Sequence, residues 1–162
     1  MPLRPTFGRL DMDEAQGLLI GLYEVDRIQL RSGYPGILAR LRPGADPYSN
    51  RRILVYQRDD PDEHWRTIRE IHRYGGGDCE DLACAGAAEL TERMGIPAVP
   101  YVYRVRPGLA HVVIHRLDTG ALLDPSKLGG MGETDHGGIE VIFGRGTPPE
   151  VLAGVTGGWP WR

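Results

Sequence analysis

The sequence predicts an α+β fold. Apolar residues at three- and four-residue steps are confined to roughly the first 95 positions. β-Branched and alternating segments follow them, and a hairpin signal joins two of those segments. Helices first and strands afterwards is the order of an antiparallel sheet with helices segregated to one side.

The elements follow in chain order. Leu18, Leu19, Leu22, Val25 and Ile28 mark a helix over 12–30, although Gly17 and Gly21 lower its propensity. Gly33, Pro35, Gly36, Pro43, Gly44 and Pro47 make 31–50 a loop with room for one short helical turn. Ile53, Leu54, Val55 and Tyr56 form a short buried strand or a helix end. In the next helix Asp60 is the cap, Pro61 takes the first position and Glu63 can reach back. Trp65, Ile68 and His72 share its face, and Gly75-Gly76-Gly77 stops it. Asp78 caps a third helix, with Glu80 and Asp81 placed to favour the positive end of its dipole. Leu82, Ala83, Gly86, Ala87, Leu90 and Met94 give that helix a stripe of mostly small residues. Such a stripe permits close approach, so this helix should be central and buried, ending at Gly95 and Pro97. Strands are expected at Val99–Val105, around Tyr101 and Tyr103, and at Ala110–Leu117, after a turn at Pro107-Gly108. Asp118-Thr119-Gly120 turns the chain into a returning strand at Ala121–Asp124, and Ile139–Phe143 is one more short strand.

Length and composition bound the rest. A chain of 162 residues is one domain, with a helical and loop region over 1–50 and a segment over 129–162 that holds ten glycines. The net charge of -3, from 19 basic and 22 acidic side chains, gives no electrostatic case for nucleic acid or an anionic membrane. No apolar run of about 18 residues predicts a membrane span. Acidic residues precede the short apolar stretch near the N-terminus, which is unlike a signal peptide. Two cysteines five positions apart cannot form a disulfide framework, so a reducing, cytoplasmic setting is expected.

The segment Gly75-Gly76-Gly77-Asp78-Cys79-Glu80-Asp81-Leu82-Ala83 concentrates the chemistry. It sets a thiol in the first turn of the buried helix. The helix N-terminus carries about half a positive charge, which favours the nucleophilic thiolate. The glycines would let a substrate carbonyl come close to the backbone. The Cys79 N–H has no acceptor inside the helix and can serve an oxyanion, a contact worth roughly 2.7–4 kcal/mol in a transition state. A thiolate also needs a base that later protonates the leaving group. His111 stands 32 positions on, at the start of a strand, and Asp124 follows 13 positions later at the end of the hairpin. Adjacent antiparallel strands can set these two side by side, so that Asp124 fixes the imidazole tautomer and supports its cationic form.

The segments GGGDCEDLA, AHVVIH and LLDPS resemble the transglutaminase-like branch of the papain-like cysteine hydrolases. The resemblance spans roughly residues 60–128. It implies a nucleophile helix packed on a small antiparallel sheet, a Cys79–His111–Asp124 triad, no cofactor, and a peptide or protein amide as substrate. Peptidases, amidases and transglutaminases belong to that family, as do members with an incomplete triad and compact bacterial and phage forms. The family's second oxyanion donor comes from upstream of the cysteine. Gln57 and Trp65 are candidates here, without support from spacing.

Other readings weigh against each of these residues. Cys84 lies about 140° around the helix from Cys79, among small residues, and reads as core. His115 shares a strand face with His111 and is the rival base. Asp124 could simply open the Asp-Pro-Ser turn. No CxxC or HExxH spacing supports a metal site, and no Walker lysine follows the glycine triplet. The alternative function is a non-catalytic structural or interaction protein, such as a phage or assembly component. In that reading the C-terminal segment with Trp159 and Trp161 would meet the partner.

Overall fold

The computed structural model describes residues 11–42, 53–58, 64–106 and 109–131. The cap expected at Asp60 to Glu63, the strand at Ile139–Phe143 and the tryptophans of the tail lie outside them. The architecture is mixed helix and strand with small sheets. Helix α1 spans Met12–Arg31, strand β1 Val55–Tyr56, helix α2 Ile68–Tyr74 and strand β2 Gly76–Gly77. Helix α3 is Cys79–Met94, and β3 (Ala98–Arg106), β4 (Leu109–Arg116) and β5 (Leu122–Leu123) form an antiparallel sheet in that order. A four-residue helix α4, Pro125–Leu128, closes the described part. Among the described residues no helix is long and apolar enough to cross a membrane.

The sheet separates two functions by parity. Val102 pairs with Val112, and Ala98, Val102, Val112, Ile114 and Leu123 are buried in the core on the side of α1 and α3. Tyr103 pairs with His111, Tyr101 with Val113 and Val99 with His115, so these six side chains occupy the opposite face. Helix α3 is buried from Cys79 through Leu90 and packs on α1, β3 and β4. Gly86 makes that approach possible. A Cβ at this position would lie 2.7 Å from Ile114 Cδ1 and 3.1 Å from Leu38 Cδ2.

Helix α1 begins with a capping box: Glu14 N–H donates to Asp11 Oδ1 at 2.8 Å, and Asp11 N–H to Glu14 Oε2 at 3.2 Å. Its buried stripe is Ala15, Leu19, Tyr23, Asp26 and Leu30. Of the residues that mark the helix in sequence, Leu18, Val25 and Ile28 are instead 38%, 42% and 55% exposed. The core is chosen by the seat of Tyr23 and Asp26, which rotates the stripe away from the longest aliphatic set. Asp26 is fully buried, and its Oδ1 accepts from Ile68 N–H at 2.8 Å, which ties α1 to the first turn of α2. Burial pushes the Asp26 carboxyl from an ordinary 3.8 up to about 8, against the lowering effect of the Ile68 bond.

Helix α2 starts later than its sequence pattern suggests. Residues 64–67 are not helical, and Thr67 is the cap, with Thr67 N–H donating to Glu70 Oε2 at 3.0 Å. Gly75 ends the helix in the left-handed region. The glycines that follow are no open run. Gly76 and Gly77 form β2, buried and parallel to Val55 and Tyr56. Gly76 has φ +157°, and a Cβ there would collide with the Val55 carbonyl. At Gly76 the missing side chain admits the neighbouring strand, and at Gly77, where a Cβ would lie 2.7 Å from Asp81 Cβ, it admits the Asp81 side chain.

Two stability outcomes follow. Gly86→Ala should cost about 1–3 kcal/mol by overpacking, and Ile114→Val, which deletes the crowded Cδ1, should recover part of that loss in urea titrations of the double variant. Asp26 has a folded pKa above its unfolded one, so its contribution is complete below about pH 4 and disappears as the pH rises to about 8. Asp26→Asn should flatten the decline of stability between those limits, measured as Tm against pH.

Candidate active site

The site lies where β5 runs out. Arg116 N–H donates to Ala121 O at 2.8 Å, so the even-numbered amides of β4 point toward β5. β5 ends at Leu123, opposite Ile114. The next amide on that edge, Val112 N–H, therefore extends past the end of β5 toward Cys79, whose thiolate form it favours. This amide joins His111 to Val112. The N-terminus of α3 thus fills the gap in the sheet edge, and the sulfur sits against the backbone of the histidine expected to serve it.

Asp124 follows β5 directly and uses both carboxylate oxygens. Oδ1 accepts from Ser126 N–H at 3.0 Å and caps α4, while Oδ2 meets His111 Nε2 at 2.7 Å. The turn reading and the triad reading of Asp124 thus describe one geometry. Both side chains are buried, at 1% exposure for His111 and 4% for Asp124. The bond engages the imidazole through Nε2.

The electrostatics of Cys79 differ from the sequence expectation. The residue is 8% exposed. Burial pushes its thiol well above the usual range. The carboxylates of Glu80 and Asp78 push it further, and only the Val112 amide pulls it down. Half a charge at the helix end does not outweigh a dry site and two flanking acids. The resting sulfur is a thiol whose S–H donates to Glu80 Oε2 at 3.1 Å. Acids in the first turn were expected to favour the positive end of the helix dipole. Glu80 and Asp81 do stand in that turn, and both are buried. Asp81 Oδ1 accepts from Arg66 N–H, and its Oδ2 accepts from Asp78 N–H at 3.2 Å within the α3 capping box.

The remaining candidates sort by position. Cys84 is buried and donates to Leu19 O at 3.4 Å between α3 and α1, as a core residue. His115 lies four residues along β4 from His111, about 13 Å away. It packs against Tyr101, with ring centroids 5.7 Å apart. Gln57 Nε2 donates to Tyr74 O at 3.1 Å and its Oε1 accepts from Arg66, so the amide is committed away from the sulfur. Trp65 is half-buried against the core. An open depression beside the site is lined by Gln57, Arg58, His64, Arg66, Asp78 and Asp81, but not by Cys79, His111 or Asp124.

One neighbour escaped the sequence reading. Tyr103 lies opposite His111 in the register, with its ring edge-on to the imidazole at 5.8 Å and 86°. The signal was present as alternation, because residues paired across two strands share a face.

No family model, curated protein or solved structure matches the chain. The geometry stands by itself as the basis for function.

Glu80→Gln removes the negative charge nearest the sulfur. The rate of Cys79 alkylation at pH 7 should rise roughly tenfold. A fall or no change, followed by mass spectrometry of the labelled peptide, would show that Glu80 does not hold the proton on the thiol.

Proposed function

We propose that the chain is a cysteine-dependent acyl-transfer enzyme of the transglutaminase-like, papain-like kind, acting on a peptide or protein amide. The observation that carries this is the buried His111–Asp124 bond of 2.7 Å, on the strand whose next amide, Val112 N–H, favours the thiolate form of the helix-borne Cys79. A sulfur, an imidazole and a carboxylate remote in sequence stand in the chain order that such chemistry requires.

The reaction begins from the protonated sulfur. Its proton passes to His111, and Asp124 stabilises the imidazolium through Nε2. The sulfur lone pair attacks the carbonyl carbon, and the carbonyl π pair moves onto oxygen. Collapse restores the carbonyl, breaks the bond to the leaving amine and leaves a thioester. His111 returns the proton to that amine. Water then resolves the thioester, giving hydrolysis, or a second amine does so, giving cross-linking. Glu80 opposes the first step, because it stabilises the thiol over the thiolate.

That opposition also supports a second reading, a structural or interaction protein that keeps the fold without turnover. A buried thiol bonded to a carboxylate is what such a protein would hold.

The two readings diverge in reactivity. The enzyme reading expects iodoacetamide at pH 6–7 to modify Cys79 faster than an ordinary thiol, and His111→Ala to slow that reaction on the order of 100-fold. Cys79→Ala should remove all acyl transfer. A Cys79 that reacts no faster than free cysteine, and is indifferent to His111→Ala, would establish the non-catalytic reading.

A further inference from the structure

We propose that the Tyr103 hydroxyl is a second hydrogen-bond donor to the oxyanion formed when the Cys79 sulfur adds to a carbonyl. This inference rests on the acyl-transfer reading. That chemistry calls for a donor besides the Cys79 N–H, since one amide meets only one of the new anion's three lone pairs. Gln57 is excluded by its bonds to Arg66 and Tyr74.

Tyr103 meets the requirement on three separate grounds. It belongs to the sheet face of His111, directly opposite it in register and in edge contact with its ring. Its hydroxyl is buried and finds no hydrogen-bond partner among the described residues. A dry phenol without an acceptor is costly, and a carbonyl oxygen gaining negative charge is an acceptor of the right kind. The hydroxyl also lies within electrostatic reach of both Asp124 and Cys79. Burial first, and then these two groups, push its pKa up to about 12, so at neutral pH it retains the proton it would donate.

In the addition step the new S–C bond forms as the π pair moves to oxygen. That oxygen accepts from Tyr103 O–H and Cys79 N–H. Both donors are released when the carbonyl re-forms and the leaving group departs with the proton from His111.

The test compares two reactions of the same sulfur in the full chain. p-Nitrophenyl acetate acylates through an oxyanion and releases a burst of nitrophenolate. Iodoacetamide alkylates by displacement at a saturated carbon and forms no oxyanion. Tyr103→Phe should reduce the acylation rate on the order of 100-fold or more, with the alkylation rate within about twofold of wild type. Tyr101→Phe, in the exposed neighbouring ring, should leave both unchanged. Acylation by Tyr103→Phe within about threefold of wild type overturns the inference. So does a parallel loss of both reactions, because Tyr103 would then support the fold or the sulfur rather than the anion. A wild-type chain that gives no burst at all removes the acyl-transfer reading itself, a result distinct from either.

Discussion

The arrangement depends on the docking of the α3 N-terminus against a strand edge that β5 leaves uncovered. A longer β5 would pair with Val112 and push the helix end away from His111. A bulkier residue at Gly86 would hold the helix too far from the sheet. The shortness of one strand and the lack of a side chain at one helical position therefore set how closely the start of α3 approaches the strand that carries His111. Asp124 joins both ends of this arrangement. It terminates β5 by starting α4, and from the same position it orients the imidazole.

The same docking has an electrostatic cost. Taking the helix end out of water also buries Asp78, Glu80 and Asp81. Asp78 and Asp81 are satisfied by backbone amides and by each other's cap. Asp81 is nevertheless pushed well up in pKa by burial and by Glu80. Glu80 turns to the sulfur. The helix start is well capped, but the carboxylates of Glu80 and Asp78 raise the Cys79 thiol against the pull of the peptide dipoles. At rest the sulfur is held as a thiol, so its reactivity depends on a group that can take its proton.

Much of this was legible in the residues. The cap at Asp78, the stop at Gly95, the hairpin at Asp118-Thr119-Gly120 and the small-residue helix are local signals, and the structure places them as expected. The His111–Asp124 contact could be anticipated because a two-strand hairpin constrains its own partners. Three features were not legible, each for a physical reason. The rotation of α1 depends on where Tyr23 and Asp26 find room, which is a tertiary property. The role of Gly76 and Gly77 depends on β1, whose contact with them is long-range. The raised Cys79 thiol depends on burial of neighbouring acids, and sequence shows an acid without showing whether water reaches it.

The alternation along β4 gives the strand two separate sets of obligations. Val112 and Ile114 must fit the helices, while His111, Val113 and His115 answer to the other side together with Tyr101 and Tyr103. Substitutions on one set need no matching change in the other. A lineage carrying this fold is therefore able to alter the His111 face without rebuilding the interior that supports it.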